Sequence, residues 1–282
     1  MKKNQAKSNI VHTIRHSLHN NRIKNFHAKI SIIIEKQNYI IKTAENAEEL
    51  QKALRLRHEV FIEELLHKKK LLEADIDRFD KKCDHLLIID KRNDMLIGTY
   101  RLNSSLHTKK FYSATEFHMK HITKLPGNKL ELGRACVHKD YRNGITIALL
   151  WEGIKEYLLR SDTRYMFGCS SVKTMDRDKI FSMICYFRKN GHMSEQTKIK
   201  PKGKFKIHGI RKYIRHGCSK YYDEQVEAEV KDMVPSLLNS YLKAGAKICG
   251  IPALDRSFRC VDFLTLLDVE QLTQSYARKS EK

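Results

Sequence analysis

The amino-acid sequence predicts an α/β fold in which a mixed sheet is flanked by helices. Two patterns carry this prediction. Short runs that alternate or are wholly apolar, typical of strands, recur between longer runs whose apolar residues repeat at helical spacing. Their order, β-α-loop-β-β-β-α-β-α, interleaves the two kinds of element as a single α/β domain does, and no internal repeat or clean linker divides the 282 residues.

The first elements are expected between residues 29 and 84. Residues 29–43 are rich in isoleucine and are broken by a short polar segment, which predicts one strand, or two strands that could form a hairpin. Asn46 followed by Glu49 is typical of a helix N-cap with its reciprocal partner, so a helix is expected from about 47 to 66. The charged residues 71–84 are predicted to form a loop.

The remaining elements follow in regular alternation. Strands are predicted at 85–90, 96–102, 129–138 and 164–172, and helices at 145–161 and 175–191. After a lysine-rich stretch we expect helices near 223–244, a strand near 258–267 and a short last helix. No stretch approaches the roughly 18–20 apolar residues that a membrane span needs.

Two boundaries divide this chain. Residues 1–36 are predicted to be a basic N-terminal tail, and residues 37–282 a single domain. The C-terminal part of that domain, from about residue 221, is expected to extend the α/β fold.

Positive charge is concentrated in two segments. The formal net charge is +21, residues 1–34 hold seven lysines or arginines and no acid, and residues 177–220 hold 13 against two acids. Such surfaces attract polyanions, whether nucleic acid, anionic lipid or an acidic protein. We expect no nucleic acid as partner, because the sequence lacks the signatures of the common nucleic-acid-binding folds.

The cysteines and acids predict no metal site. The seven cysteines are odd in number, lack CxxC spacing and mostly lie in apolar runs, which predicts buried thiols in a reducing compartment. Five acids within residues 73–84 resemble a calcium loop, but the required glycine and late glutamate are missing. His85 and Asp90 match an H-x4-D pattern of acyltransferases, but on a regular strand they would face opposite ways.

The most informative segment is Glu131-Leu132-Gly133-Arg134, on a predicted strand that leads through Tyr141–Gly144 into a helix. Gly133 permits a bulge that would bring Glu131 and Arg134 onto one face. A bulged strand and a helix N-terminus can bind an acyl thioester and a phosphate. An ion pair beside an ordinary turn explains the same residues equally well.

Several blocks together resemble a known family. They include LRLRHEVFIEEL (54–65), DIDRFDKKCDHLLIID (75–90), LELGRACVHKDYRNG (130–144) and VPSLLNSYLKAGAKICGIPALDRSFRCVDFLTLLDVEQL (234–272). Over roughly residues 38–277 the chain resembles the bacterial ornithine–acyl-[acyl-carrier-protein] N-acyltransferases of aminolipid synthesis. That family belongs to the GNAT superfamily and is related to the acyl-homoserine-lactone synthases. The resemblance implies a GNAT-like mixed twisted sheet with a C-terminal α/β extension.

The resemblance also implies a reaction and its residues. A (3-hydroxy)fatty acyl group would move from acyl carrier protein to the α-amine of an amino acid, with ornithine expected, giving a lyso-aminolipid. No permanently bound cofactor is expected, because the acyl-phosphopantetheine of the carrier protein is the donor substrate. The implied catalytic residues are Glu131, which would accept the ammonium proton, and Arg134. The implied acceptor-binding residues are Arg57, Phe61, Asp77, Asp80 and Arg101.

The donor segment departs from the superfamily pattern. The implied donor-binding residues are Cys136, Val137, Tyr141, Arg142, Asn143 and Gly144. Coenzyme-A users usually have a second glycine in this loop to bind a pyrophosphate, whereas a carrier-protein donor brings one phosphodiester. Phe187 occupies the position of a frequent leaving-group tyrosine, so the leaving-group acid stays open.

The resemblance fits the basic segments. Lys198, Lys200, Lys202, Lys204 and Lys206 would share one face of a strand and are predicted to form a docking surface for acyl carrier protein or an anionic membrane. The protein is expected in the cytoplasm, peripheral on the inner face of the membrane. The alternatives are an acyl-homoserine-lactone-type synthase, a basic nucleic-acid-binding protein, or a non-catalytic protein in which Glu131 is structural.

Overall fold

A computed structural model describes residues 23–68, 73–215 and 224–270. Nine strands lie in these ranges: β1 (Ile33–Glu35), β2 (Tyr39–Thr43), β3 (Asp84–Asp90), β4 (Met95–Ser104), β5 (Asn128–Val137), β6 (Thr163–Val172), β7 (Lys247–Ile248), β8 (Ala253–Asp255) and β9 (Cys260–Asp268). The α-helices are α1 (Ala47–His58), α2 (Ser113–Glu116), α3 (Lys120–Thr123), α4 (Ile145–Arg160), α5 (Arg177–Lys189), α6 (Ile210–Arg215), α7 (Glu224–Met233) and α8 (Ser236–Lys243). A π-helix, Glu59–Glu64, continues α1.

The chain forms two compact units. The first comprises residues up to Thr108 together with Leu132–Asp162, and the second comprises Lys109–Glu131 together with the residues from Thr163 onward. Strand β5 contributes its first half to the second unit and its second half to the first.

The first unit is a largely antiparallel sheet covered by α4. Its strand order is β1-β2-β3-β4-β5, and Ile34 lies opposite Ile41 in the predicted hairpin of β1 and β2. Helix α4 packs closely because Gly153 has no side chain: a Cβ there would lie 2.7 Å from side-chain atoms of Ile41 and Leu86. The hairpin and this helix confirm the sequence prediction.

The start of α1 confirms the predicted N-cap. The Asn46 side chain accepts a hydrogen bond from Glu49 N at 3.0 Å. The reciprocal bond shifts by one residue, since the Glu49 carboxylate accepts from Glu45 N.

Part of the predicted tail belongs to the first unit. Ile23 and Phe26 are buried against Leu50 and Leu54 of α1, and Ile32 is also buried. These apolar side chains draw residues 23–32 into the core, so the tail boundary at residue 36 is too late. Residues 1–22 lie outside the described residues.

The second unit contains the predicted C-terminal extension. Strand β5 runs parallel to β6, β6 is antiparallel to β9, and β9 also pairs with β7 and β8. The Phe187 ring of α5 packs on Phe263 of β9 at 5.2 Å, within an apolar cluster that also includes Val230 of α7 and Leu238 of α8. Parallel and antiparallel pairs therefore occur together, which confirms the predicted mixed sheet flanked by helices.

The lysine-rich segment is not the strand that its alternation predicted. It contains a 3₁₀ turn, Gly203–Phe205, and an isolated bridge between Pro201 and Phe117. Pro201 has no N–H for a ladder, and neighbouring backbone bonds run to another segment: Lys202 N donates to Glu116 O at 2.6 Å. The alternation survives in burial, because Ile199 and Pro201 are buried while Lys198 and Lys200 are exposed.

Cysteine usage requires one correction. Cys83, Cys136, Cys169, Cys249 and Cys260 are free thiols, as predicted. Cys185 is disulfide-bonded, so the prediction of thiols alone was wrong there.

Within the described residues, no helix is long and apolar enough to cross a membrane.

Candidate active site

Three arginines and three aspartates form a buried charged network in the first unit. Arg57 lies at the end of α1, Arg101 on β4 and Arg134 on β5, and the aspartates lie in the segment that leads into β3. The three positive charges and the three negative charges balance. The aspartates are Asp75, Asp77 and Asp80.

The centre of the network is Arg57, whose side chain is 1% exposed. Its guanidinium donates to Asp75 Oδ2 at 2.7 Å and to Asp80 Oδ1 at 2.7 Å. Burial alone would lower the pKa of Arg57, but the carboxylates of Asp80 and Asp75 raise it. The arginine is therefore a permanent cation that fixes two segments.

Asp80 is saturated by partners. Besides Arg57, its oxygens accept from Arg101 Nη1 at 3.0 Å and from Asp77 N at 2.6 Å, and its side chain is fully buried. Burial opposes its ionisation, yet Arg57 and Arg101 hold the pKa of Asp80 well below its usual value. This arrangement leaves Asp80 little capacity to receive a substrate cation and favours a positioning role.

The open end of the network is Asp77 with Arg134. Their side chains are 22% and 15% exposed. Asp77 Oδ2 accepts from Arg101 Nη1 at 2.7 Å and from Arg134 Nη2 at 3.4 Å. These two residues are the members of the network that solvent or a ligand reaches most easily.

Arg134 also carries the backbone distortion that the sequence placed at Gly133. Its φ is +54°, a left-handed value that is uncommon for a residue with a side chain. Such strain persists only where surrounding contacts hold it, and here Arg134 Nε lies 3.2 Å from Asp75 Oδ2.

Glu131 belongs to the second unit and is 4% exposed. Its two oxygens accept hydrogen bonds from Tyr112 N at 2.7 Å and Ser113 N at 2.6 Å. Glu131 thereby anchors the first turn of α2. The candidate base is held in one orientation by these two backbone donors.

The predicted donor segment runs from the end of β5 to the residue before α4. Tyr141 Oη donates to Asp90 Oδ2 at 3.1 Å, and Arg142 forms a two-bond ion pair with Glu64 of the π-helix at 2.6 and 2.7 Å. Asn143 accepts from Ile145 N at 3.2 Å. Gly144 has a φ of +85° and precedes the first turn of α4.

Cys136 and Phe61 are apolar neighbours of this segment. Cys136 packs with Leu56 and Val60, and Phe61 of the π-helix contacts the same cluster. Burial raises the pKa of Cys136 to about 12, so its sulfur is a protonated packing group. Val137 ends β5 and accepts from Arg142 Nε at 3.2 Å.

His85 and Asp90 have separate partners, as expected of an accidental H-x4-D match. His85 Nε2 lies 2.9 Å from the backbone oxygen of Asp80, whereas the Asp90 carboxylate binds Arg92 and Tyr141. Burial lowers the pKa of His85 to about 4, so its ring is neutral.

Asp75 is the residue that sequence reasoning missed in this network. The sequence groups it with the calcium-like acids, yet it accepts two hydrogen bonds from Arg57, at 3.0 and 2.7 Å. The signal was present in the clustering of Asp75, Asp77 and Asp80 after an arginine-bearing helix.

We expect Asp80→Asn to lower the free energy of unfolding by roughly 3–5 kcal/mol, because it leaves two buried arginines underpaired. Asp77→Asn, at the exposed end, should cost much less. Because Asp80 binds its proton less tightly in the folded state, its stabilisation is present above a pH of about 4 and is lost as the pH falls further. Denaturant unfolding of the wild type and both variants from pH 7 to pH 3 measures these free energies. Equal losses for the two variants at pH 7 would contradict the predicted difference.

Comparison with known proteins places these residues in context. Residues 56–152 match the family described as "Acetyltransferase (GNAT) domain". The L-ornithine N(alpha)-acyltransferase of Brucella abortus is 29% identical over 269 residues, which cover 84% of this chain and 86% of that protein. The protein of the same name from Rhizobium meliloti is 27% identical over 85% of this chain and 83% of its own length.

Solved structures resemble the chain more loosely. A CoA-dependent acyl-homoserine lactone synthase, BjaI, with SAM and isopentyl-CoA, has a TM-score of 0.44 and 16% identity, covering 82% of each chain. The AHL synthase LasI has a TM-score of 0.43 and 14% identity over 84% of this chain and 90% of that one. The domain match and the relatives confirm the resemblance inferred from the sequence: the chain is an acyltransferase that contains a match to the GNAT domain at residues 56–152 and is similar along most of its length to the L-ornithine N(alpha)-acyltransferases.

Proposed function

We propose that the protein transfers a 3-hydroxy fatty acyl group from acyl carrier protein to the α-amine of ornithine, giving a lyso-aminolipid. The similarity to proteins named L-ornithine N(alpha)-acyltransferase over 84% of the chain supports the reaction. The observation that carries the site is the partly exposed pair Asp77 and Arg134, held in place by the buried arginines Arg57 and Arg101.

The acceptor is recognised by its opposite charges. Asp77 receives a cationic group of the amino acid, and Arg134 binds its carboxylate, a pairing that guanidinium geometry favours. Arg57, Arg101 and Asp80 keep this pair in place without touching the substrate. Phe61 supplies an apolar wall next to the donor strand.

Glu131 acts as the general base. It takes the proton of the ammonium group, directly or through water, so that the neutral nitrogen attacks the thioester carbon. The new C–N bond forms, the C–S bond breaks, and the thiolate of phosphopantetheine leaves with a proton from an acid that stays unassigned. The backbone N–H bonds from Tyr112 and Ser113 keep the Glu131 carboxylate oriented for this step.

The donor binds at the start of α4. The amides of a helix N-terminus favour a phosphate, and Gly144 has no atom within 4 Å of an added Cβ, so a ligand can approach its backbone. A loop with one glycine suits the single phosphodiester of a carrier-protein donor. Arg142 is paired with Glu64, so it can bind the donor phosphate only after that ion pair breaks.

An in-vitro assay tests the proposal. Purified protein is given 3-hydroxyacyl carrier protein and a panel of amino acids, and products are identified by mass spectrometry. We expect N-acylornithine, with acyl carrier protein preferred over acyl-coenzyme A. An acyl-homoserine lactone formed from S-adenosylmethionine would establish the alternative synthase, and no transfer to any amine would favour a non-catalytic protein.

We expect Glu131→Gln to lower kcat by roughly 10²-fold or more, the usual contribution of a positioned base. Circular dichroism checks the fold, because the amide also changes the anchor of α2. Glu195→Gln, at an exposed position of the same unit, is the matched control. Turnover close to that of the control in a folded variant would remove Glu131 from the mechanism.

Asp77→Asn should raise KM for ornithine more than for glycine, since only ornithine has a side-chain cation. The ratio of the two kcat/KM values, measured with a saturating donor, gives the selectivity contributed by the carboxylate. Proportional losses for the two acceptors would show that Asp77 acts on the common α-amino group or on the fold.

Carrier protein docks on the basic segment of the second unit. Lys198, Lys200, Lys204 and Lys206 are exposed. Arg256 fixes their backbone by donating to the carbonyl oxygens of Lys204 and Lys206. Lys202 differs, because it is half-buried and donates to Ala114 O. Four exposed cations fit the acidic surface of a carrier protein, because complementary charge raises the rate of association.

Changing Lys198, Lys200, Lys204 and Lys206 to Gln should raise KM for acyl carrier protein several-fold at low salt, and less at high salt where screening is stronger. The control changes four exposed lysines elsewhere: Lys52, Lys124, Lys155 and Lys173. Binding to vesicles rich in anionic phospholipid is measured in parallel. Loss of vesicle binding with unchanged KM would assign the surface to the membrane instead.

A further inference from the structure

Three acidic side chains from distant parts of the sequence converge in the second unit. They are Glu116 of α2, Asp255 at the end of β8 and Asp262 on β9. One carboxylate oxygen from each lies within 4.8 Å of the others, and the three residues are 0%, 4% and 3% exposed. The sequence predicted no metal site, and these acids are too far apart along the chain to have suggested one.

The hydrogen bonds around the cluster leave it incompletely satisfied. Asp255 Oδ1 accepts from Ser257 N at 2.7 Å and Phe258 N at 3.2 Å, and Asp262 Oδ1 accepts from Ser171 Oγ at 2.5 Å. Glu116 Oε1 is buried and accepts no hydrogen bond from a described residue. A buried oxygen in that position costs free energy unless a further group binds it.

The strongest charged neighbours of Glu116 are acids. Burial and the Asp262 carboxylate raise the pKa of Glu116 to about 9, and Asp255 adds to this effect. Glu116 is also hydrogen-bonded to Asp262, which raises its pKa further, and to Tyr112, which partly offsets the rise. Buried carboxylates without a positive partner commonly coordinate a metal ion.

The nearby thiols do not compete as ligands. Cys169 Sγ lies 3.8 Å from Glu116 Oε2, and Cys260 Sγ lies 3.8 Å from Asp262 Oδ1. Both thiols are placed as hydrogen-bond donors to these carboxylates. The three acids supply only oxygen ligands, which hard cations prefer.

We infer that Glu116, Asp255 and Asp262 bind one divalent cation that prefers oxygen ligands. Such ions lie about 2.0–2.6 Å from each carboxylate oxygen, so oxygens on opposite sides of one ion are about 4–5 Å apart. The three carboxylate oxygens all lie within 4.8 Å of one another, which fits this span. A divalent cation offsets two of the three carboxylate charges and gives Glu116 Oε1 a partner.

Such an ion would also position α2. This helix begins at Ser113, whose N–H binds Glu131, and ends at Glu116. The cation would fix its C-terminal end on β8 and β9, as Glu131 fixes its N-terminal end. The cation site does not depend on the proposed acyl transfer, because it is inferred from the positions of the three acids and of Glu116 Oε1.

Cation binding is measured on the full chain after treatment with EDTA and dialysis. Mg²⁺, Mn²⁺ and Ca²⁺ are each titrated while thermal unfolding and isothermal heat are recorded. We expect at least one of them to raise Tm saturably and to bind with a stoichiometry of one per chain. The absence of a saturable shift and of binding heat with all three ions would overturn the inference.

Amide variants identify the ligands. Glu116→Gln and Asp262→Asn should weaken binding at least tenfold and abolish the cation-dependent rise in Tm, while Glu195→Gln keeps it. Removing one acid from a metal-free cluster relieves repulsion, so both variants should retain the metal-free Tm of the wild type. Cation binding that persists unchanged in both would place the ion elsewhere.

A measurement on the wild-type protein keeps the inference testable should a variant fail to fold. Electron paramagnetic resonance of Mn²⁺ bound to the full chain reports the ligand atoms. We expect an ion bound by oxygen atoms alone. Nitrogen or sulfur ligands would overturn the assignment to the three acids.

Discussion

The first unit depends on burying one cation. Arg57 is almost fully removed from solvent, which carries a desolvation cost of several kcal/mol that only close partners offset. Asp75 and Asp80 provide that compensation, and they come from a segment with little regular structure of its own. The ion pairs therefore fix the backbone of this segment at defined positions beside α1 and β4, as ladder hydrogen bonds fix a strand.

This constraint sets how the exposed residues behave. Asp77 shares Arg101 with Asp80, so its carboxylate is oriented by a group that is itself immobile. Arg134 reaches the same segment from a strained backbone position on β5. A ligand that meets Asp77 and Arg134 finds side chains that have already lost their rotamer freedom, and the ordering entropy of binding is correspondingly small.

Local patterns in the sequence predicted local structure well. The β1–β2 hairpin, the Asn46 cap and α4 all follow from signals within about a dozen residues. The lysine-rich segment shows the limit of such signals: its alternation predicts which side chains are buried, but a proline and contacts with residues 114–118 decide the backbone. The resemblance to a family identified most of the charged network, but not that Asp80 is saturated or that Asp75 pairs with Arg57. The cluster of Glu116, Asp255 and Asp262 had no sequence signal, because only the fold brings those residues together.

The protonated state of Cys136 bears on the proposed acyl transfer. This thiol lies on β5, beside which the donor is proposed to bind, and a thiolate there would compete with the amine for the acyl group. Because burial keeps its pKa near 12, almost none of it is ionised at neutral pH, and only the thiolate exchanges with a thioester. In the proposed reaction, the packing around β5 would therefore keep Cys136 from competing with the acceptor amine for the acyl group.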